Sequence, residues 1–549
     1  MKCYSFIRFT AAAATTTAIA ILLLSQGSLS KPSPQDVHGV DPNTIGTGGG
    51  VSTRSLNSTR KFVTKRQNLP SIEERKNAVV NAMKHAWSGY YKYAAKYDEL
   101  LPLSKKGDNT WKMTAIDSID TLHIMGLKEE YAQARESVLS VDFTKTDDGF
   151  KTSFFESTIR AVGGLISIHE LTNDKGFLDK AQQLGDILMR AFKTPTGLPY
   201  REIDVNNIWK EQETDNTSTS LADVGTCIME YKRLSDLTNK QIYNQNAQKA
   251  FDKIASLETK VPGLFPVQID AKDGKTFGPY SFGAMGDSYY EYLLKYYLMT
   301  GKTETKYRDM YIKAIEAVNA NILRNSLGTK PLLYIGQLSG KDDHKFEGIF
   351  QHLTCFAPGL YALGAKELER PGDLEIAISL MDTCYQLYMR TNTGLSPEAV
   401  LFAKSEDQAA GITPTQALKD IGVTFDERLN VHNVDSEYHA INPAYLLRPE
   451  VVESLMVLYR VTDNTVYQDW GWNIFQAIEK YTKVKEGGYA TYANVYNQDI
   501  GDSQEDEMPS FFLAEALKYL FLLFSPKTDY SLDEYVFNTE AHPFRIKKP

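Results

Sequence analysis

From Ile72 onward the apolar residues recur at spacings of three and four along almost the whole remaining chain, with capping residues where the pattern breaks. The spacing predicts about fourteen helices, near 72–98, 114–126, 128–139, 153–171, 175–192, 218–236, 239–256, 283–300, 304–326, 348–364, 373–391, 449–463, 466–484 and 510–525. Short apolar or glycine-rich pieces fall between several of them: GLPY at 197–200, GLFPV at 263–267, GLSPE at 394–398 and GGYATY at 487–492. They read as hairpin loops that return the chain to one face. No linker interrupts the pattern after Leu69. Helix pairs in unbroken succession suit a closed ring in which each pair buries its inner face against its neighbours, so residues 70–549 are expected to form one domain. A closed ring needs no partner to cover its core, and a monomer is expected.

The first seventy residues lack this pattern. Lys2 and Arg8 precede an apolar stretch from Phe9 to Leu24, and the small polar residues Ser25 to Ser30 follow. That is the layout of a secretory targeting segment. The stretch includes Thr15, Thr16 and Thr17 and falls short of the ~20 residues a spanning helix needs. Residues 1–30 therefore read as a cleaved signal peptide in preference to a type II signal anchor, which would make an N-terminal membrane anchor. Residues 31–69 are rich in Gly, Ser, Thr and Pro and read as a flexible stem. Glycosylation sequons at Asn57 and Asn216 are usable only in the secretory lumen.

Charge narrows the partners. With 60 Lys and Arg against 69 Asp and Glu, a formal charge of −9, the chain lacks the basic excess on which phosphate-backbone binding depends, so no nucleic-acid partner is expected. The 32 Tyr and 25 Phe supply large core residues and flat surfaces on which sugars stack. Of four cysteines, Cys3 falls in the leader and Cys227, Cys355 and Cys384 in the body. In an oxidising lumen three imply one disulfide and one buried thiol. Cys355 and Cys384 are the closer pair, and closing that loop would restrict the unfolded chain by about 3.6 kcal/mol. No CxxC or HExxH occurs, which excludes the common zinc and thioredoxin sites. His344 and His352 read as ordinary polar residues.

Carboxylates recur at or near helix starts among apolar and aromatic residues. In FFESTIR at 154–160, Glu156 stands four residues before Arg160 on one helix face, which a simple helical ion pair would also explain. In GDSYYEYLLK at 286–295, Asp287 and Glu291 share a face, where like charges repel unless a ligand or a proton compensates. In LLRPEVVES at 446–454, Pro449 starts a helix and Glu450 and Glu453 lie three apart. Glu515 sits in the apolar run FFLAEALKYL at 511–520, a costly position without partners, and MTAIDSID at 113–120 adds Asp117 and Asp120. An acid, a base and stacking surfaces at one end of a helical ring are the ingredients of a glycosidase. A metal held by several carboxylates, or an inert polar core, would use the same residues.

Taken in order, these segments together with HLTCFAPG at 352–359, GLSPE at 394–398, LRPE at 447–450 and FNTEAHP at 537–543 resemble the class I α-1,2-mannosidases, glycoside hydrolase family 47, over about residues 72–544. The resemblance implies an all-α (α/α)7 barrel, inverting hydrolysis of terminal α-1,2-linked mannose on high-mannose N-glycans in the endoplasmic reticulum or Golgi lumen, and a bound Ca2+. It implies Glu156 as general acid, acting directly or through a water, with Asp287 as the alternative acid. Glu450 would be the base, and Glu398 a further catalytic carboxylate. Thr539 would be the direct protein ligand of Ca2+, a cation that accepts an all-oxygen, water-rich shell. Asp117, Glu291, Glu453, Glu515 and Glu540 would line the sugar pocket or hold the waters of the metal, and Cys355 with Cys384 would form the family's disulfide.

Three positions depart from the family pattern. Asp223, in the substrate pocket, stands where Glu is usual, and Pro509 where many members have Glu. Met285 stands where the endoplasmic-reticulum type carries Arg and the Golgi type an apolar residue. Met cannot donate the hydrogen bonds of Arg to a glycan branch, so trimming beyond a single mannose is expected. The alternative is a mannose-binding quality-control factor with little turnover, like the degradation-enhancing lectin-like proteins. Those are not expected to keep the cysteine pair, and the intact carboxylates favour the enzyme.

Overall fold

All fourteen helical segments expected from the spacing are found in the computed structural model, which describes residues 69–108, 111–145, 151–205, 217–328, 330–341, 344–404 and 437–548. Seven form an inner ring in chain order: Met113–Ile124, Gly163–Thr172, Ile228–Thr238, Asp287–Met299, Ala357–Glu367, Glu450–Thr462, and Phe512–Ala516 running on into Leu517–Leu523. Each packs on the next, and the last closes on the first. Six outer helices, Lys128–Leu139, Lys175–Leu188, Ile242–Ala255, Thr305–Asn321, Pro371–Met389 and Val466–Tyr481, follow the first six inner ones and pack on them. The seventh outer helix is Ile72–Ala94, which covers Leu517–Leu523. This is an (α/α)7 barrel. Burial follows the layers: Asp287–Met299 is buried all round from Ser288 onward, whereas Lys128–Leu139 buries only Ala134 and Val138.

The structure refines the expected boundaries where the site lies. The single helix expected over 218–236 is a strand, Ser218–Ser220, a short helix, Leu221–Gly225, and after a break at Cys227 the inner helix. Two inner segments are π-helical, Ser157–Val162 and Phe512–Ala516. Apolar periodicity cannot separate an i→i+5 turn from an α-helical one, and such turns tend to fall at functional sites. One follows Glu156 and the other contains Glu515.

Short antiparallel strands lead into the inner helices at one end of the ring. Lys151–Ser153 pairs with Glu202–Asp204, Ser218–Ser220 with Gln268–Asp270, and Ala399–Phe402 with both Ile349–Gln351 and Tyr438–Asn442. Gly394, at φ 76°, supplies the left-handed turn that brings the chain to Glu398. From these strands the chain passes directly to Phe154, Leu221 and His352 and through a short loop to Glu450, while a further strand, Tyr280–Ser281, paired with Gln337–Leu338, leads into Asp287. A last hairpin, Tyr535–Phe537 with Pro543–Arg545, inserts its connecting residues Asn538, Glu540, Ala541 and His542 into the ring, all buried.

Cys355 and Cys384, 29 residues apart, form a disulfide between the turn His352–Phe356 and the outer helix Pro371–Met389, and Cys227 is a buried free thiol. Among the described residues no helix is long and apolar enough to cross a membrane. The leader, the stem up to residue 68, and the sequons at Asn57 and Asn216 lie outside the described residues.

Candidate active site

Arg160 organises one side of the site. Its Nε donates to Glu156 Oε2 at 2.7 Å, and its Nη1 donates to Glu540 at 2.5 Å, to Ser510 at 3.0 Å and to Asp117 at 3.4 Å. One cation thus gathers carboxylates from three stretches of chain, and its guanidinium lies 5.4 Å from the Phe511 ring centre. Behind it, Asp117 is fully buried with its oxygens taken by His542, Ser510 and Arg160, so it supports Arg160 and does not open onto free space. His542 bonds Asp117 through Nε2 at 3.2 Å and Asp120 through Nδ1 at 2.8 Å, and Lys518 pairs with Asp120 at 2.9 Å. A ring that bonds two carboxylates donates from both nitrogens, so His542 is the imidazolium here. Its pKa is raised: burial opposes the charge, and Asp120 and Asp117 outweigh it.

Glu450 opens the helix Glu450–Thr462, where the N-terminal dipole favours an anion. Its Oε2 takes the Nδ1 proton of His352 at 2.8 Å, and His352 Nε2 meets the Tyr388 hydroxyl, also at 2.8 Å. Burial pushes the Glu450 pKa up, but His352 and Arg448 outweigh it and hold the group below the usual range. The reading of His352 as an ordinary polar residue is therefore corrected: it bonds a candidate catalytic carboxylate. Nothing in the local sequence pairs residues 98 apart. Glu398 receives Arg448 Nε on both oxygens, at 2.7 and 2.9 Å. Arg448 also lies 5.9 Å from the ring of Phe511, so this partly exposed aromatic neighbours two guanidiniums. Nothing in the motifs around Arg448 and Phe511 marks them as partners of Glu398 and Arg160; the fold brings them together.

Asp287 begins the helix Asp287–Met299 and bonds the backbone N–H of Ser288 at 2.7 Å through Oδ1. No cation pairs with it among the described residues. Burial first, then the charges of Glu291 and Glu450, raise it to about 7, so the proton expected from like-charge repulsion resides here. Glu291 is compensated differently, by a close ion pair with Lys295, which also reaches Glu453 at 3.2 Å. Glu156, Glu450 and Asp287 each have one carboxyl oxygen bound by the protein and the other free of side-chain partners among the described residues. They are only partly buried, the side chains of Glu156 and Glu450 being 17% and 12% exposed.

Asp223 caps its own helix: Ser220 N–H donates to Oδ2 at 2.9 Å while Ser220 Oγ receives the Asp223 N–H. Met285 has φ 70°, an unfavourable value for a residue with a side chain, and its carbonyl accepts the Ala222 N–H at 2.9 Å. The strained turn thus ties the Met285 loop to the turn carrying Asp223.

The inserted hairpin loop offers oxygen to a cation. Thr539 is the one incompletely buried residue of 536–542, and its hydroxyl makes no hydrogen bond among the described residues. Around it the charge is in surplus. Glu515 has no hydrogen bond or ion pair among the described residues, and burial together with Glu540, Glu450 and Glu453 raises its pKa well above the ordinary value. Glu230, one of whose buried oxygens has no partner, takes bonds from Tyr292 at 2.6 Å and Asn538 at 2.9 Å and is raised to about 7 by burial. Among the described residues no three Asp, Glu, His or Cys side chains converge as direct ligands. An oxygen-only site with a hydroxyl, a carbonyl and anions one step removed fits a hard, water-rich cation such as Ca2+ and does not fit zinc.

Comparison with known proteins bears on the family and the fold. The glycosyl hydrolase family 47 profile matches residues 82–546. The endoplasmic reticulum mannosyl-oligosaccharide 1,2-alpha-mannosidase of Mus musculus is 40% identical over 87% of this chain and 68% of its own length. A mannosyl-oligosaccharide 1,2-alpha-mannosidase of Arabidopsis thaliana is 38% identical over 91% of this chain and 82% of its own length. The solved alpha-1,2-mannosidase from Trichoderma reesei superposes with a TM-score of 0.78 at 29% identity, covering 86% of this chain and 99% of that one. With the profile spanning most of the barrel and relatives near 40% identity on either side of the plant and animal divide, the chain belongs to glycosyl hydrolase family 47.

Proposed function

We propose that this protein removes terminal α-1,2-linked mannose from high-mannose N-glycans in the endoplasmic reticulum or Golgi lumen, as a Ca2+-dependent, inverting and monomeric glycosidase. The observation that carries the reading is the opposite states of two carboxyls in one electrostatic neighbourhood: Asp287 retains a proton near neutrality, and Glu450 is held ionised by His352. Two carboxyls pushed apart in this way are suited to acid and base roles. In the step, Asp287 gives its proton to the glycosidic oxygen as the C1–O bond breaks. Glu450 takes a proton from the water whose oxygen bonds C1 on the opposite face. The leaving glycan departs as an alcohol, and the mannose carries the inverted configuration.

The remaining residues orient. Arg160 holds Glu156, which would pass a proton through water if it and not Asp287 is the acid. Arg448 holds Glu398, and Phe511, partly exposed, offers an aromatic surface for the sugar. Thr539 would hold Ca2+, with Glu515, Glu540 and Glu453 accepting from its waters. When bound, the ion would supply a fixed positive charge among these carboxylates. The disulfide Cys355–Cys384 supports the enzyme over the mannose-binding alternative.

The test is incubation of the chain from about residue 68 onward with a nine-mannose glycan and Ca2+, with the anomer of released mannose followed by NMR. First release of β-mannose, lost in Glu450→Gln, is expected. Release of α-mannose, or glycan binding with no release, would sink the reading.

A further inference from the structure

Tyr388 lies on the outer helix Pro371–Met389, yet its hydroxyl meets Nε2 of His352, whose Nδ1 meets Glu450. Tyr388 and His352 are each 1% exposed, so every polar atom between them must be matched within the protein. A carboxylate only accepts, which assigns the proton to Nδ1. In the neutral ring Nε2 is then a lone pair that needs a donor, and among the described residues Tyr388 is the group bonded to it. Burial first, then the neighbouring Tyr445 hydroxyl and the charges of Glu450 and Glu398, raise the Tyr388 phenol well above its ordinary value, so it keeps its proton; with that proton on Nε2, the Tyr388 oxygen is left to accept from Tyr445. The two rings meet edge to face at 5.8 Å. The disulfide Cys355–Cys384 ties the same two elements, with Cys355 three residues after His352 and Cys384 four before Tyr388, so each bonding partner lies within one turn of the covalent link.

We propose that Tyr388 is a positioning residue: its O–H donates to His352 Nε2 and fixes the tautomer whose Nδ1–H holds Glu450, an inference that rests on Glu450 being the base. Without the hydroxyl the ring can carry its proton on Nε2 instead and turn a lone pair toward the carboxylate. Glu450 would then lose its donor while still facing Arg448, Asp287, Glu398, Glu453 and Glu515, four of them acidic. Its pKa would rise, and less of it would be ready to accept a proton from water.

The test compares the Ca2+-loaded parent with Tyr388→Phe, His352→Gln, the double variant and Glu450→Gln, measuring kcat and KM on an α-1,2-linked oligomannose across pH. Tyr388→Phe is expected to lower kcat about tenfold with KM changed less than about twofold, and to move the acid limb of kcat/KM upward by about half a pH unit or more. In the His352→Gln background the same change should cost less than about twofold, because its route to Glu450 is gone. A parental pH profile in Tyr388→Phe, or an equal loss in both backgrounds, overturns the proposal. Should Tyr388→Phe not fold, nitrogen NMR of the histidine-labelled parent decides: His352 protonated on Nδ1 alone is expected, and an Nε2–H tautomer or an imidazolium overturns it. Full activity in Glu450→Gln would remove the base assignment itself. Loss of activity there alongside a parental Tyr388→Phe removes only the positioning role.

Discussion

Replacing Asp287 by Asn keeps the shape of the side chain and removes its ability to ionise, which turns the protonation state of that carboxyl into a measurable free energy. Burial and the charges of Glu291 and Glu450 raise the group from 3.8 to about 7, so the folded chain holds a proton that the unfolded chain releases. The folded state binds the extra proton between those two values, and stability therefore falls as pH rises through that window. At about 1.36 kcal/mol per pKa unit the full difference is ~4 kcal/mol, of which about 2.6 kcal/mol develops between roughly pH 5 and pH 8. Asp287 is not wholly buried, and solvent screening reduces that figure to about 1–2.5 kcal/mol. The Asn side chain carries no such penalty. Urea unfolding of both proteins at one Ca2+ concentration should show Asp287→Asn gaining on the parent by this amount between pH 5 and pH 8. Its activity should fall by about 10²–10⁴, the usual contribution of a general acid. A stability gap that is the same at both pH values would mean that Asp287 is already ionised in the fold. The acid role would then pass to Glu156.

Arg160→Met should cost about 3–5 kcal/mol in urea unfolding, because Glu156, Glu540 and Asp117 lose their shared cation in a buried setting; a cost under ~1 kcal/mol would show that these groups find other partners. Chelation with EDTA should abolish activity and lower the thermal midpoint, with both restored by Ca2+. A cation at one hundred times its Kd adds about 2.7 kcal/mol, and Thr539→Ala should lose the Ca2+-dependent part of the midpoint; a midpoint indifferent to Ca2+ would refute the assignment. With a nine-mannose glycan in excess enzyme, trimming should continue past the eight-mannose product, and Met285→Arg should make it stop nearer that point. Arrest of the parent after one mannose would remove the specificity role given to Met285.

The alternation of apolar and polar positions was enough to define the ring. Fourteen amphipathic segments without a linker leave few ways to bury their faces, so the paired architecture is legible in the sequence; the Cys355–Cys384 pairing is legible separately, from the spacing of the cysteines and the family resemblance. Residue type also marked Asp287 and Glu291, because like charges one turn apart demand compensation. Lys295, one turn after Glu291 on the same helix, is legible as its counter-ion, but the proton on Asp287 is not: it is decided by burial and by the charge of Glu450, which closure of the ring brings near. The same holds for His352, which meets Glu450 across 98 residues, and for Phe511, which Arg160 and Arg448 approach from distant parts of the chain. The π-helical turns at Ser157–Val162 and Phe512–Ala516 escape a reading based on period. Hydrophobic periodicity reports which face of an element is buried, a local property of the chain. Charge state, hydrogen-bond partner and distance between acid and base are properties of groups brought together by closure of the ring, and only the tertiary structure decides them.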